Sequence, residues 1–472
     1  MSSSEVRAAV PDDAARMQTF MDETFRAFQR PEQRRWAQAY LWALIHVSGK
    51  KTPRRMALAK PLPSAAAHGL HQFINASPWD WNPVRRRLAR LVTASTTPHA
   101  WTVAELIIPK RGEHSVGVHR RVDALTGRTV NCQRALGLFL SSGTHSYPVD
   151  WRLVLGGTWD SDRERRRRAR IPGTEGGRTA TDLVLEYAAE AATRHQLPGL
   201  PWVLDLTRCE DATGVLAGLA RQNADVVCEV AADLPVLAGQ HTPVATTVGA
   251  IMELRHARQT HVLLRQSADG RVRAVPVHTY AGTVELPRSG PANGTATGTG
   301  LGTGTGIGNG SGTSTSTGTG HAGSRPYRIL ERPDVAEIRQ PCRYWITTLT
   351  DHRVEEILRL ARSHSAALSA VTTLRHRFGV LDFEGRSFPG WHHHMTMASA
   401  AYVYQRLSSA ACGTATPPDR PAPPDRSAPP NRPNRPDPPD RPDPPDPPPR
   451  APAATTAAPV TPAEAALTGA PN

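Results

Sequence analysis

The chain has 472 residues, a formal net charge of +14 and an isoelectric point near 10.2. This length exceeds one ordinary hydrophobic core, so the sequence predicts a globular body of two or three units. It contains neither a secretory-type N-terminal segment nor an apolar run of about 18 residues. These features argue against secreted and membrane-inserted proteins, and we expect a cytoplasmic location.

The positive charge belongs to the part of the chain before the Pro-rich C-terminal segment. Residues 413–472 carry six Arg, six Asp and one Glu, a net charge of −1, so the preceding residues carry +15. A basic body favours a polyanionic partner, above all nucleic acid. Only four of the 56 basic residues are Lys, however, and this skew towards Arg also fits a GC-rich genome.

The cysteine pattern favours reduced thiols. The five cysteines are scattered, with no CxxC pair and no His pair at zinc-ligand spacing. We therefore expect neither a disulfide framework nor a zinc site. The residues are Cys132, Cys209, Cys228, Cys342 and Cys412.

Residues 14–95 have apolar side chains at helical spacing and are predicted to be all-helical. The third helix, which begins PVRRRLARLV, contains four arginines around a short apolar stripe. Arginine binds phosphate oxygens without reading the base sequence, so we expect this helix to contact DNA. A helix face that is merely solvated is the alternative. The arginines are Arg85, Arg86, Arg87 and Arg90.

From Trp101 the pattern changes to strands, beginning with WTVAELII at 101–108. Glu105 lies in the middle of this strand and shares a face with Val103 and Ile107, so a central strand would largely bury it. A buried carboxylate needs an ion pair, a raised pKa or a bound metal. Further strands are predicted in HSVGVHRRV, NCQRALGLFL and DWRLVLGG.

The segment DRERRRRAR at 162–170 is strongly basic. We expect Arg165, Arg166 and Arg167 to contact a DNA backbone, although a solvated surface explains the pattern equally well. After it, helical and strand patterns alternate from DLVLEYAAEAATRH through PWVLDL and TGVLAGLARQ to DVVCEV. This alternation predicts an α/β fold around one mixed sheet.

Two segments have little to bury. Residues 286–325 are rich in Gly and Thr and are predicted to be a flexible insertion. They lack the Gly-Lys-Ser/Thr ending of a phosphate-binding P-loop. Residues 412–472 are rich in Pro and are predicted to be a disordered tail.

Five pieces of the chain, taken in order, resemble DDE-type insertion-sequence transposases. They are WTVAELIIPKRG, HSVGV with NCQ, PVDWRLVLGGTWDSDRERRRRARIP, PWVLDL and FEGRSFPGWHHHMTM. These pieces lie between Trp101 and Met397, and the resemblance as a whole covers about residues 20–410. The resemblance implies an RNase H-like mixed sheet with flanking helices, in two parts at 96–285 and 326–411. The helical region at 14–95 would precede it and bind DNA, and the tail would follow it.

The resemblance also implies a chemistry. Such enzymes cut and join DNA strands with two divalent ions, Mg²⁺ or Mn²⁺, held by three carboxylates. The family's first acid sits in a pair of aspartates that corresponds here to Ala104 and Glu105, which makes Glu105 the candidate. The alternative is an acid paired with an Arg or with Lys110. Lys110, from the PKRG piece, is itself a candidate DNA contact.

The second and third acids follow from later pieces. Asp205 closes PWVLDL where the family places its second aspartate, and the carboxyl end of a strand faces a ligand crevice. The alternative helix-cap role suits Asp211 better. Glu355 precedes Arg362 by seven residues and borders an apolar stripe, which makes it the candidate third acid. Ungapped counting from FGVLDFEGRS instead places Leu368 there.

The sequence therefore predicts a transposase-like protein that binds double-stranded DNA, at element ends and target, and that is a possible homodimer associated with a bacterial nucleoid. Two of its three acid positions depart from the family pattern or align loosely. The alternative is thus an inactive transposase descendant that binds DNA without cutting it. A third class, an interaction protein with an incidental basic surface, also remains open. The run at 392–394 is not predicted to bind metal, because adjacent helical histidines point in different directions.

Overall fold

A computed structural model describes residues 13–58, 66–122, 127–194, 199–239, 242–266, 272–287, 325–333 and 342–411. All of them lie in one compact unit, Met1–Ala415. The predicted Gly/Thr-rich insertion, apart from its ends, and the Pro-rich tail fall outside the described residues.

The N-terminal region is helical, as the apolar spacing predicts. Local signals define the helix starts: Pro31 occupies the first turn of the second helix, and the Asp80 side chain accepts a hydrogen bond from the Asn82 backbone N–H at the start of the fifth. The helices are α1 (Asp13–Thr24), α2 (Pro31–His46), α3 (Pro53–Ala57), α4 (Ala66–Asn75) and α5 (Trp81–Ser95).

The remaining helices flank or cross the sheet that follows. They are α6 (Thr158–Ser161), α7 (Arg163–Arg168), α8 (Ala180–Arg194), α9 (Ala212–Arg221), α10 (Val248–Glu253), α11 (Val354–Arg377) and α12 (Phe388–Ala411). A short 3₁₀ turn, Arg255–Ala257, follows α10. Asp211 caps α9 by accepting a hydrogen bond from Gly214 N–H at 2.8 Å, which confirms the cap expected for that residue.

A ten-stranded mixed sheet forms the centre of the fold, in the order β2-β3-β1-β5-β6-β13-β12-β10-β9, with β4 also paired to β3. A second sheet has the order β11-β7-β8. The strands are β1 (Ala100–Pro109), β2 (His119–Val122), β3 (Thr129–Ser142), β4 (His145–Val154), β5 (Trp202–Asp205), β6 (Val226–Val230), β7 (Pro235–Ala238), β8 (Val244–Thr247), β9 (Arg258–Gln266), β10 (Val272–Tyr280), β11 (Val284–Glu285), β12 (Arg328–Arg332) and β13 (Arg343–Thr347).

Strand direction fixes where a site can form. β1, β5 and β6 are parallel, whereas β3, on one side of this trio, and β13, on the other, run antiparallel to it. The carboxyl ends of the three parallel strands therefore meet at one edge of the sheet. The mixed sheet, its flanking helices and the N-terminal helices confirm the predicted fold class.

Helix α12 lies at the centre of the molecule. Almost every residue from Phe388 to Tyr404 is buried, including all three histidines of the GWHHH block. This stretch contains no Asp, Glu, Lys or Arg, as expected of a helix inside a core rather than at its surface. α12 packs against α2, α4, α5 and β4, so it joins the helical region to the sheet. Among the described residues, no helix is long and apolar enough to cross a membrane.

Candidate active site

Asp205 lies where the sequence predicts it, exposed at the carboxyl end of β5. Its Oδ1 atom accepts hydrogen bonds from the Thr207 backbone N–H at 2.9 Å and from the Thr207 hydroxyl at 2.6 Å. This turn fixes the carboxylate and leaves its second oxygen towards solvent. Asp205 is therefore an acid placed where a metal ligand is expected, and a metal centre there would need further carboxylates beside it.

On one side the neighbour is an alanine. β1 pairs with β5 with Trp101 opposite Trp202 and Thr102 opposite Val203. Continued by two residues, this register brings Ala104 beside Asp205. Side chains alternate along a strand, so Ala104 shares the face of Asp205 and Glu105 points to the opposite face. Of the two positions that correspond to the family's paired aspartates, the one beside Asp205 has lost its carboxylate.

Glu105 is engaged on that opposite face. It accepts from Arg134 of β3, with Arg121 of β2 at 3.4 Å. Its side chain is 36% exposed, so the expectation of a largely buried carboxylate is wrong; the neighbouring strand β5 ends at Asp205 and does not extend past this part of β1. The alternative in which Glu105 pairs with an arginine describes the contacts observed.

On the other side of Asp205 stands Glu229, which sequence analysis missed. Glu229 is the residue opposite Asp205 in the parallel pair of β5 and β6. Both of its oxygens accept from the guanidinium of Arg343 on β13. The signal that could have revealed it is the single acid in the apolar run VVCEV at 226–230. Held by Arg343 in this way, Glu229 is neutralised rather than open to a cation.

Glu355 does not reach Asp205. β13 runs antiparallel to β6 and ends with Thr347 opposite Val227, so the chain enters α11 near the amino end of β6. Asp205 lies at the other end of these strands. Glu355, in the first turn of α11, is exposed.

Farther along α11, the group near Asp205 is a histidine. His364 is half-buried, and burial lowers its pKa, while the negative charges of Asp205 and Glu229 oppose that change. No acid follows Glu356 in α11, and the ungapped acid position, Leu368, carries an apolar side chain that is 44% exposed. Sequence analysis did not identify His364.

The donor set does not fit two divalent ions. Such a centre needs several clustered carboxylates, and Asp205 has an alanine on one side and an arginine-bound glutamate on the other. Within the described ranges, no three His, Cys, Asp or Glu side chains are grouped so that they could hold a metal ion. The structure thus does not bring Glu105, Asp205 and Glu355 together.

The family described as DDE superfamily endonuclease matches residues 23–258, half of the chain. The chain belongs to the DDE superfamily of endonucleases. The match extends from the helical region through β1, β3 and β5 to the start of β9, and it includes Ala104 and Asp205. DDE endonucleases act on DNA and generally use divalent metal ions. No curated protein matches the chain significantly.

Some of the predicted DNA contacts of this DDE endonuclease chain are buried within the fold, whereas others lie at its surface. Arg85 is one of the buried residues. Arg85 is 3% exposed and forms an ion pair with Asp150, while its Nε donates to Thr396 at 2.8 Å. It also donates to the Trp151 carbonyl at 2.9 Å. Its expected contact with DNA is therefore wrong, because this position of α5 faces α12 and β4. Arg86, Arg87 and Arg90 lie on the outer part of the helix.

Lys110 is also committed within the fold. Its Nζ donates to the Phe383 carbonyl at 2.7 Å, and burial lowers its pKa to about 8. The side chain ties the end of β1 to the segment before α12. This bond directs the ammonium group inward, which does not favour the predicted DNA contact.

The three arginines of α7 differ from one another. Arg165 lies over the Trp159 ring at 4.0 Å and donates to Thr158, and Arg166 donates to the carbonyls of Trp159 and Pro172. Both therefore stabilise the local fold. Arg167 is exposed, and among the described residues it pairs only with the nearby Glu164, so it is the one of the three placed for an external contact.

Proposed function

We propose that this DDE-superfamily chain is a transposase-derived protein that binds double-stranded DNA and has lost two-metal strand cleavage. The observation that carries the proposal is the parallel register of β1 and β5, with Thr102 opposite Val203, which brings Ala104 beside Asp205 when it is continued by two residues. A two-metal centre cannot be completed there by Glu229, whose carboxylate Arg343 neutralises.

Retained DNA binding is supported by charge. The part of the chain before residue 413 carries +15, and several arginines of the N-terminal helices have no acidic partner among the described residues. Such a surface attracts a phosphate backbone independently of base sequence. The proposal thus assigns DNA binding to the basic part of the chain before residue 413. It assigns no DNA strand cleavage to the site around Asp205.

Two assays on the full chain test the proposal. Fluorescence anisotropy with a labelled duplex should show affinity that falls steeply with salt. A plasmid nicking assay with Mg²⁺ or Mn²⁺ should give no more cleavage for the wild type than for Asp205→Asn. Matched DNA affinity of the two proteins is the control that both are folded.

Active cutting is the competing function, since Asp205 and the family fold are both present. Nicking that requires Mg²⁺ or Mn²⁺ and disappears in Asp205→Asn would replace the proposal with an active insertion-sequence transposase. Absence of salt-dependent duplex binding would instead remove the DNA-binding function and favour a protein-interaction role.

A further inference from the structure

Arginine side chains of the N-terminal helices surround a depression in the protein surface. Two adjoining hollows of about 640 and 370 Å³ share Arg26, Arg87 and Arg90 in their walls. Arg34 lines the larger hollow and Arg86 the smaller one. We call these two hollows, with their five arginines, the α1–α5 cleft.

The guanidinium groups of the cleft are largely unoccupied. Arg26, Arg86, Arg87 and Arg90 make no side-chain hydrogen bond or ion pair with any residue in the described part of the chain. Arg34 donates its Nε to the Phe28 carbonyl at 2.8 Å, which orients the group. Several arginines elsewhere in the fold differ from these because they form ion pairs.

Arg85, Arg134 and Arg343 are each held by a carboxylate of the fold. Among the described residues that line the cleft, the only acids are Asp22 and Glu23, in the wall of the larger hollow. Five like charges with two acids repel one another, and this repulsion is relieved when an anion enters. The unpaired state of the cleft therefore points to an external anionic ligand.

The shape of the cleft selects an extended anion. Arg87, Arg90, Leu91 and Ala94 follow one another at helical spacing on one face of α5, and Pro83 lies at the other end of the lining. From residue 83 to residue 94 a helix advances about 16 Å. Each strand of a DNA duplex has one phosphate about every 3.4 Å along the duplex axis. Several consecutive phosphates of one strand therefore fit along this length of α5, whereas a free nucleotide would occupy only part of it.

The lining also distinguishes double-stranded from single-stranded nucleic acid. The apolar lining consists of Ala27, Pro83, Leu91 and Ala94, and none of the described residues that line either hollow is aromatic. Single-strand sites use aromatic rings on which the bases stack. Without them, the cleft can bind phosphates but cannot hold unpaired bases.

We propose that the α1–α5 cleft holds the sugar–phosphate backbone of a DNA duplex, with Arg26 and Arg34 acting together with Arg86, Arg87 and Arg90. This proposal rests on the DNA binding proposed above and assigns that binding to one surface. The cleft draws on two positions, Arg26 and Arg34, that lie outside the arginine-rich stretch of α5, and it excludes Arg85.

The main test compares two triple variants of the full chain. Arg26→Ala/Arg87→Ala/Arg90→Ala removes three charges from the cleft. Its duplex affinity should fall about tenfold or more near physiological salt, and the slope of log affinity against log salt should become shallower by about 2.7, since each lost phosphate contact removes about 0.9.

The matched control removes three exposed arginines elsewhere, Arg221, Arg359 and Arg375, none of which has an ion pair in the described part of the chain. This variant should bind the duplex within about twofold of wild type and keep most of the salt slope. Equal losses in the two triple variants would overturn the assignment to the cleft, because binding would then follow total charge alone.

A gain-of-binding variant guards against loss through misfolding. Asp22→Asn/Glu23→Gln removes the two acids from the cleft wall, and both side chains are exposed. Duplex affinity should rise by about twofold or more, with a single strand of equal length competing poorly. Unchanged affinity, or preference for the single strand, would contradict the proposal.

The two proposals fail separately. A wild-type protein that binds no duplex at any salt concentration removes the DNA-binding function together with the cleft. A wild type that binds normally while the cleft variant matches it removes the cleft alone. Nicking activity bears on the acid site and leaves the assignment of the cleft untouched.

Discussion

Arg85 differs from Arg86 and Arg87 only in its position on α5, yet the fold gives it a different role. Its guanidinium donates to Asp150, to the Trp151 carbonyl and to His392, all within the core. A buried ion pair adds little net stability, but removal of one partner leaves an uncompensated charge. Arg85 is therefore a structural residue whose loss affects folding before it affects binding.

We predict that Asp150→Asn lowers the free energy of unfolding by about 3–5 kcal/mol, because it leaves the Arg85 charge without its partner. Urea denaturation measures this change. Arg90→Ala, an exposed position on the same helix, is the control and should change stability by less than about 0.5 kcal/mol. A loss in Asp150→Asn no larger than in the control would show that the pair is not buried in solution.

His394 predicts how stability depends on pH. Its Nε2 donates to the Gly379 carbonyl, and its Nδ1 accepts from the Tyr40 hydroxyl, both at 2.8 Å. Burial lowers its pKa to about 4, below the ordinary 6.5. Between these values the unfolded chain binds a proton that the folded chain does not, so stability is full above pH 6.5 and falls as the pH approaches 4.

The expected loss from His394 alone is about 3 kcal/mol between pH 6.5 and pH 4. The ring carbon–proton NMR signal of His394, assigned by its absence in His394→Gln, should show no titration from pH 8 to pH 5. A midpoint near pH 6.5 would mean that the ring is exposed to solvent and that the buried network is absent.

At the scale of elements, the hairpin of β9 and β10 ends the large sheet with an uncovered apolar face. Val262, Leu264 and Val272 lie on the same face of the hairpin and are 62%, 77% and 61% exposed. β9 is the last strand of the sheet among the described residues, so its outer backbone groups are unpaired there. Long apolar edge strands of this kind promote association between chains.

We therefore predict that Val262→Thr/Leu264→Lys reduces concentration-dependent aggregation while the melting temperature stays within about 2 °C of wild type. Light scattering during slow heating gives the first quantity, and circular dichroism gives the second. The conservative variant Val262→Ile/Leu264→Met is the control and should aggregate like wild type. A large loss of thermal stability in the charged variant would show that this face is covered in solution.

At the scale of the whole molecule, the two compositionally biased segments are predicted to be dispensable. The Gly/Thr-rich run at 286–325 and the Pro-rich segment at 412–472 contain few apolar side chains to bury. Loop length also changes the entropy of closure only slowly. Their removal should therefore leave the folded unit intact.

Replacement of residues 289–323 by a short Gly/Ser linker, or truncation after residue 412, should shift the melting temperature by less than about 2 °C. Differential scanning calorimetry provides the measurement, with the full chain as reference. A decrease of several degrees in either protein would indicate that the removed segment packs on the body.

The effect of Mg²⁺ on the melting temperature is a second property of the whole molecule. A ligand that binds only the folded state raises stability in proportion to the logarithm of its concentration over its Kd. The described residues offer no group of three metal-binding side chains, so millimolar Mg²⁺ should not raise the melting temperature relative to EDTA. A rise that disappears in Asp205→Asn would reveal a cation site at Asp205 and support the active enzyme.

Local patterns in the sequence predict the helices, the strands and the family. Apolar spacing at 3.6 and 2 residues predicts the N-terminal helices and the strands β1, β3 and β5, because these periods follow directly from local backbone geometry. The order of the transposase-like pieces likewise predicts the RNase H-like fold and places Asp205 at the end of its strand. These properties depend on neighbours along the chain.

Which side chains meet at the acid site follows from the three-dimensional arrangement of the strands and helices. The register of β1 against β5 places Ala104, rather than Glu105, beside Asp205, and the entry of α11 at the amino end of β6 separates Glu355 from both. Burial distinguishes Arg85 from Arg86, Arg87 and Arg90 in the same way. Register, helix direction and burial arise from contacts between distant segments, which neither composition nor periodicity specifies.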